Sequence, residues 1–148
     1  MSLLLVGDIG GTTARFALAQ GPDATGRFAV SDPQSLRGDD FSTLVDAADA
    51  YLQTLTGPRP EAACLAIAGP AEGARLKLTN RGWDFSREEL ARDLGLTRVE
   101  VFNDWAAMTR ALPMLEPKDY LPLAGGATDS TTPPCGGGPG ARGARFVR

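Results

Sequence analysis

The hydrophobic and polar positions of the first forty residues alternate as they do in β-strands. An apolar run from Leu3 stops at Gly7, and a second alternating stretch starts at Thr13. Such alternation is typical of half-buried strands. The pattern predicts strands over residues 2–7, 13–20 and 27–30, followed by a loop over 31–40 that is rich in turn-forming residues. Three successive strands joined by short turns predict an antiparallel meander.

The remaining pattern mixes helical and strand periods. Apolar residues at helical spacing predict a helix over 41–55, and the nearly continuous apolar run 62–68 predicts a strand buried on both faces. The later elements predicted are a short strand at 74–79, a helix at 87–94 behind the capping-box pair Ser86 and Glu89, a strand at 98–102 and a helix at 105–112. The predicted fold class is therefore α/β, with a mixed sheet and the order β-β-β-α-β-(β)-α-β-α.

Three loops follow strands that could end at the same edge of this sheet. They are Asp8–Thr13, Gly69–Gly73 and Asn103-Asp104. Ligands of open α/β sheets bind beyond the carboxyl ends of the strands. We therefore expect the chemistry of the chain at these loops.

The first of these loops has the composition of a phosphate-binding turn. It contains, in order, Gly7, Asp8, Ile9, Gly10, Gly11, Thr12 and Thr13. Glycine allows positive φ and close approach of a ligand to the backbone, and consecutive backbone N–H groups can form an anion-binding concavity. The single carboxylate of Asp8 suits Mg²⁺ held mainly through water. An ordinary hairpin turn would have similar composition, so both interpretations stay open at this point.

Asn103 and Asp104 form a second chemical candidate at the end of the strand predicted at 98–102. A carboxylate at this position is often only a helix N-cap. Transfer of a phosphoryl group to a hydroxyl also needs a residue that accepts the hydroxyl proton, and an aspartate can do so. The amide of Asn103 can both donate to and accept from a sugar hydroxyl.

Composition narrows the function classes. The 148 residues contain no histidine, which excludes histidine-based triads and proton shuttles within this sequence. The net charge of −3 argues against nucleic acid as a partner, and no apolar run approaches the roughly 20 residues of a membrane helix. Cys64 and Cys135 do not form a disulfide framework, and Cys64 is expected to be buried. The expected compartment is the cytoplasm.

Four stretches, taken together, resemble a known family. Residues 7–15 (GDIGGTTAR) resemble the first phosphate motif of the sugar kinase, actin and heat-shock ATPase superfamily. The stretches 66–70 (AIAGP), 78–86 (LTNRGWDFS) and 101–105 (VFNDW) resemble bacterial glucokinases more narrowly, and 111–115 (ALPML) also fits. The resemblance covers residues 3–126 and implies the smaller lobe of a ribonuclease H-like, actin-like ATPase fold.

The resemblance implies ATP-dependent phosphorylation of the 6-hydroxyl of D-glucose, with Mg²⁺, early in glycolysis. Gly7–Thr12 would then match the ATP-phosphate segment, Asp104 the general base and Asn103 a glucose ligand. Thr79 and Asn80 would lie near the sugar, although a structural turn is an equal alternative. Trp83 and Phe85 are expected in the core, and Arg15 on the surface or in an ion pair.

Beyond residue 126 the resemblance stops. We expect a small domain over 1–126 and a disordered Gly/Pro/Arg-rich tail over 127–148, with the second lobe missing. One hypothesis is that the tail is GC-rich DNA read out of frame, which the gene sequence after Thr131 would test. A natural short paralogue and a deliberate fragment are alternatives. We expect little kinase activity from such a chain alone, and association through exposed apolar surface as a homodimer or with a second lobe.

Two other functions stay open from the residues. One is a regulator of the related repressor and kinase family, which also uses Asp-x-Gly-Gly-Thr; no DNA-binding helix pair precedes residue 3, which counts against it. The other is a non-catalytic sugar- or nucleotide-binding or assembly module. Binding of glucose and of magnesium-ATP would separate these functions.

Overall fold

A computed structural model describes residues 2–78 and 81–115 and the short segments 135–136 and 145–146. The chain divides into two compact units, Met1–Asn103 and Asp104–Arg148. The first unit carries the sheet that the alternating sequence pattern predicts. The second unit begins with a helix.

The first unit is built on a five-stranded mixed sheet. Its elements are β1 Ser2–Ile9, β2 Thr13–Gly21, β3 Ala29–Arg37, α1 Leu44–Gln53, β4 Ala62–Ile67, β5 Arg75–Lys77, β6 Asp84–Ser86, α2 Arg87–Leu94 and β7 Arg98–Asn103. The strand order in the sheet is β3-β2-β1-β4-β7. The meander β1-β2-β3 is antiparallel, and β1, β4 and β7 are parallel neighbours. A separate hairpin joins β5 to β6.

One face of the sheet and the two helices of this unit form the core. Strand residues alternate between faces, so every second side chain of β1, β2, β4 and β7 contributes to it. The contributing strand residues are Leu5, Ile9, Ala14, Phe16, Leu18, Ala63, Leu65, Ile67, Val99 and Val101. The ring of Tyr51 from α1 stacks on Phe16 with centroids 5.5 Å apart. Burial of these large side chains is the main stabilising contribution to the unit.

Both helices of the first unit begin at capping boxes. The Thr43 hydroxyl accepts from the Asp46 N–H and the Asp46 carboxylate accepts from the Thr43 N–H, each at 3.0 Å. Ser86 and Glu89 make the same exchange at the start of α2. Gly95 ends α2 with φ +68°, a left-handed conformation that glycine adopts without steric cost. The predicted bounds of α2 are confirmed, whereas α1 is shorter at both ends than the predicted 41–55.

The third strand is longer than its apolar residues indicate, and the predicted loop over 31–40 is wrong for residues 31–37. β3 runs from Ala29 to Arg37 along the edge of the sheet, with most of its side chains exposed. Its backbone pairs with β2, and the Tyr51 hydroxyl donates to the Asp32 carbonyl at 3.0 Å. An exposed edge strand needs no apolar alternation, so its polar sequence resembles that of a loop.

The prediction that residues 62–68 are buried on both faces is also wrong. Ala63, Leu65 and Ile67 are buried, but the alternate positions are only half-buried, including Cys64. Small side chains on the second face explain the continuous apolar run without a second buried layer over this strand. The partner strand β6 of the short hairpin was not predicted, because its three residues carry no period of their own.

The second unit contains α3 Asp104–Ala111, a 3₁₀ turn Leu112–Met114, and the antiparallel pair β8 Cys135–Gly136 and β9 Arg145–Phe146. The predicted domain boundary at 126, and the predicted tail apart from these two short strands, lie outside the described residues. Among the helices that the structure describes, none has the length and apolar character needed to cross a membrane.

Candidate functional site

The carboxyl ends of three strands of the first unit lie in one row. Ile9 of β1 is in register with Ile67 of β4, which is in register with Asn103 of β7. The loop after β1, the loop after β4 and Asn103 therefore share an edge of the sheet. This confirms the expected shared edge for these parts of the first unit, which is where open α/β sheets bind ligands.

Hydrogen bonds fix this edge from one strand to the next. The Ala68 N–H donates to the Ile9 carbonyl at 3.0 Å, which extends the β1–β4 pairing by one step. Nδ2 of Asn103 donates to the Gly69 carbonyl at 3.0 Å. The amide of Asn103 is thus oriented by the loop after β4, and its side-chain carbonyl Oδ1 is an acceptor by chemistry.

The glycine turn between β1 and β2 is held through its carbonyl groups. The Gly10 N–H donates to the Thr13 carbonyl at 2.9 Å, and the Gly38 N–H donates to the Thr12 carbonyl at 3.0 Å. Nη2 of Arg81 donates to the Gly11 carbonyl at 2.6 Å. In a trans peptide unit the C=O and N–H groups point in opposite directions. The N–H of Thr12 therefore points away from Arg81.

The glycines of this turn are not needed for positive φ. Within the described residues, the glycines with positive φ are Gly21, Gly26, Gly73 and Gly95, so Gly10 and Gly11 do not use the positive φ that glycine allows. A Cβ at Gly7 would lie 2.8 Å from Cδ2 of Leu65, so this glycine makes room for core packing. The absence of side chains at Gly10 and Gly11 leaves the backbone open to close approach.

Asp8 is paired across the hairpin with Arg15. Nη1 of Arg15 lies 3.0 Å from Oδ2 of Asp8, and the side chain of Asp8 is 56% exposed. This confirms the expectation that Arg15 is an ion-pair partner. No cluster of three or more potential metal ligands occurs among the described residues. A single exposed carboxylate fits Mg²⁺ that keeps most of its water and phosphate ligands, and does not fit a cage of protein ligands.

Asp104 is the first residue of α3 and belongs to the second unit. Its Oδ1 accepts from the Trp105 N–H at 2.7 Å, a contact of the kind that carboxylates make at helix N-termini. Later in the helix, the Thr109 hydroxyl donates to the Trp105 carbonyl at 2.7 Å. The two other predicted sugar residues, Thr79 and Asn80, lie outside the described residues.

The stretch after Asn80 contains Arg81, whose role the local sequence does not indicate. Trp83 and Phe85 are each 4% exposed, which confirms that they belong to the core. Arg81 contacts the glycine turn from 70 positions away. Its only signal in the sequence was its place inside the most family-specific motif, next to the predicted sugar residues.

With this geometry in place, comparison with known proteins identifies the family. The sequence matches the family model for glucokinase over residues 5–142. The chain belongs to the glucokinase family. A glucokinase from Saccharophagus degradans is 38% identical over 125 residues, an alignment that covers 84% of this chain and 39% of that protein. The family resemblance noted from the motifs is confirmed, and the matched range extends beyond residue 126, where the motifs stop.

Solved structures agree on the fold. A glucokinase from an Antarctic psychrotroph is 37% identical, with a TM-score of 0.78 over 89% of this chain and 41% of that one. A ROK family protein from Streptococcus pneumoniae, 20% identical, has a TM-score of 0.50 over 75% of this chain and 38% of that one. The predicted actin-like ATPase lobe is confirmed. The chain spans about two-fifths of the length of the glucokinase relatives it matches.

Proposed function

We propose that this chain supplies the phosphate turn and the general base of an ATP-dependent glucokinase. The observation that carries the proposal is the row Ile9, Ile67 and Asn103, which brings the glycine turn and Asn103 to one edge of the sheet. Membership of the glucokinase family supplies the reaction, the transfer of the γ-phosphoryl group of ATP to the 6-hydroxyl of D-glucose.

The glycine turn, Gly7–Thr13, is the proposed contact for the ATP phosphates. The carbonyls of Gly11, Thr12 and Thr13 each accept a hydrogen bond, and peptide planarity turns the N–H group that follows each carbonyl away from its donor. Backbone N–H groups oriented together attract phosphate oxygens without any charged side chain. The hydroxyls of Thr12 and Thr13 add two further donors to the same segment.

Asp8 is the proposed residue for Mg²⁺, through water. When bound, the ion neutralises negative charge on the phosphates. The Arg15 guanidinium at 3.0 Å would have to share or release the carboxylate of Asp8. Both side chains are more than half exposed, so breaking this pair costs little.

Asn103 and Asp104 are the proposed residues for the sugar. The amide of Asn103, oriented by its bond to the Gly69 carbonyl, would hold a glucose hydroxyl. The carboxylate of Asp104 would accept the proton of the 6-hydroxyl as its oxygen bonds to the γ-phosphorus and the bond to ADP breaks. Thr79 and Asn80 are the two further residues proposed to bind the sugar.

The cytoplasm is the proposed compartment, with glucose and ATP as the substrates of an early glycolytic step. The complete reaction also needs the part of a glucokinase that this chain does not cover. That part would contribute either as a second lobe or through association of chains. A phosphoryl-transfer cleft has to enclose the nucleotide and exclude water, and this requires surfaces on both sides.

A chimaera tests this proposal. Residues 5–115 of this chain would replace the corresponding part of the Saccharophagus degradans glucokinase, and ADP release would be coupled to NADH oxidation. We expect glucose-dependent turnover, and a loss of roughly 10²–10⁴ in kcat for Asp104→Asn, the range typical of a general base. An inactive chimaera that folds, or an active Asp104→Asn variant, would contradict the assignment.

Asp49→Asn is the matched control, because Asp49 is an exposed aspartate of α1 outside the proposed site. It should keep the activity of the parent chimaera. In the same assay the 148-residue chain alone should give no measurable turnover. Calorimetric titration of that chain with glucose and with magnesium-ATP would show which half-site it retains, and binding of neither would favour a structural module.

A further inference from the structure

We propose that Arg81 is a positioning residue that fixes the glycine turn in its phosphate-binding form. The inference rests on the proposed role of this turn and adds to it the residue that keeps it in shape. Nη2 of Arg81 donates to the Gly11 carbonyl at 2.6 Å. Its side chain is only 9% exposed, so this contact is made largely out of water.

Among the described residues, an exposed carboxylate and an aromatic ring face the charge of Arg81. Nη1 lies 3.4 Å from Oδ1 of Asp39, whose own side chain is 74% exposed. The guanidinium carbon lies 4.7 Å from the centre of the Trp83 ring, a cation–π arrangement. Nε is buried without a hydrogen-bond partner among the described residues. A buried arginine with an unpaired nitrogen is a poor stabiliser, which favours a role beyond stability.

Gly38 provides the space in which the guanidinium lies. A Cβ at residue 38 would overlap the guanidinium of Arg81. The N–H of Gly38 also donates to the Thr12 carbonyl at 3.0 Å. Arg81 and Gly38 therefore lie next to each other and bond to two consecutive carbonyls of the turn.

The fixed carbonyls decide where the neighbouring N–H groups point. With the Gly11 carbonyl bonded to Arg81, the trans peptide directs the Thr12 N–H to the opposite side, and the Thr12 carbonyl bonded to Gly38 does the same for the Thr13 N–H. The Thr12 N–H therefore points away from the guanidinium, and the Thr13 N–H points away from the Gly38 N–H. Without Arg81 the Gly11–Thr12 peptide could rotate, because glycine has no Cβ and allows a wide range of backbone dihedral angles at residue 11.

The test uses hydrogen exchange on the 148-residue chain, with the Gly10 amide as reporter and the Leu65 amide as the reference for global opening. The Gly10 N–H is bonded within the turn, so its exchange reports whether the turn stays closed. For Arg81→Met we expect Gly10 exchange to increase about tenfold relative to Leu65, the size expected when a charged hydrogen bond is lost. Binding of magnesium tripolyphosphate should weaken by a similar factor.

Arg81→Lys and Gly38→Ala keep the test decisive if Arg81→Met does not fold. Lysine keeps the charge but loses the planar fork, so we expect most of the same effect. The added methyl of Gly38→Ala should displace the guanidinium and give the same phenotype, with no further loss when combined with Arg81→Met. Arg75→Met is the matched control, because Arg75 is an exposed arginine of β5 paired with Asp84 and Glu89.

The inference is wrong if Gly10 exchange rises only in proportion to Leu65 exchange, or if the effects of Gly38→Ala and Arg81→Met add. If the wild-type chain does not bind magnesium tripolyphosphate, the proposed function of the turn fails, and the exchange rates still decide the role of Arg81.

Discussion

The start of α2 and the glycine turn both satisfy backbone groups, but they do so over very different distances in sequence. At α2, the Ser86 hydroxyl accepts from the Glu89 N–H at 3.0 Å, and the Glu89 carboxylate accepts from the Ser86 N–H at 2.9 Å. In the turn, the Gly11 carbonyl accepts from Arg81, 70 residues away. One structure is determined within four residues, and the other requires the folded unit.

This difference separates a structural element from an adjustable one. A capping box forms with its own helix and contributes mainly stability. A turn supported by distant side chains can be loosened by changes far from it in the sequence, while the helix remains intact. Functional loops carried on a rigid scaffold often have this property.

The largest expected effect comes from Trp83→Ala, which removes support from the turn and the core together. Trp83 is 4% exposed, contacts Arg81, and donates from Nε1 to the Phe41 carbonyl at 3.3 Å. Truncation should reduce the free energy of unfolding by about 3–5 kcal/mol. Urea unfolding measures this loss of stability. Trp105→Ala is the control, and it should cost less because Trp105 is only half-buried. A loss of less than about 1 kcal/mol would show that Trp83 is not a core residue.

Ser86→Ala should weaken the capping box of α2 and leave the glycine turn unchanged. Loss of an N-cap reduces the free energy of unfolding by about 1 kcal/mol. Ser42→Ala, an exposed serine outside the capping positions, should change it by less than about 0.5 kcal/mol. Binding of magnesium tripolyphosphate should be unchanged in both variants. Weaker binding in Ser86→Ala would mean that helix and turn are coupled.

Two glycine substitutions sharpen the distinction between backbone and neighbour effects. Gly95 has φ +68° and open space around its Cβ position, so Gly95→Ala should cost about 1 kcal/mol through conformation alone. Gly57 also has open space but no positive φ, and Gly57→Ala should be neutral or slightly stabilising. Thermal unfolding compares the two variants. Equal melting temperatures would contradict the left-handed conformation of Gly95.

The smallest effect concerns pH. The guanidinium of Arg75, and then the Ser86 N–H, hold the pKa of Glu89 below its ordinary value of 4.5. The stabilisation is therefore present above about pH 4.5 and is lost as the pH falls through the lowered pKa in the folded state. Glu89→Gln should lose less stability than the wild type between pH 7 and pH 3 in urea titrations. Equal losses would show that this carboxylate does not contribute.

The predictability of the fold follows the same division between local and distant determinants. The bounds of α2 could be predicted from Ser86, Glu89 and Gly95, because these residues act on adjacent backbone. β3 could not, because its place is fixed by pairing with β2 and by the Tyr51 hydroxyl, while its own side chains are polar. The second face of β4 was mispredicted because small apolar residues look the same whether or not a layer covers them.

The parts of the candidate site that lie at the ends of strands could be predicted from the sequence. Asp8 and Asn103 could be placed at one sheet edge from strand order alone, and register confirms that β1 and β7 end together there. Arg81 could not be given a role, because nothing local links it to Gly11. The packing role of Gly7 could not be predicted either, because Leu65, which leaves no room for a Cβ at residue 7, lies on a neighbouring strand.

The most direct test of the central claim maps phosphate binding onto the backbone. Isotope-labelled chain would be titrated with magnesium tripolyphosphate while the amide resonances are followed. We expect shifts concentrated at residues 10–13 and none at the start of α2, where Glu88 and Glu89 in the first turn repel anions. Shifts at α2 instead, or no shift at the turn at millimolar ligand, would contradict the assignment of this turn as a phosphate site.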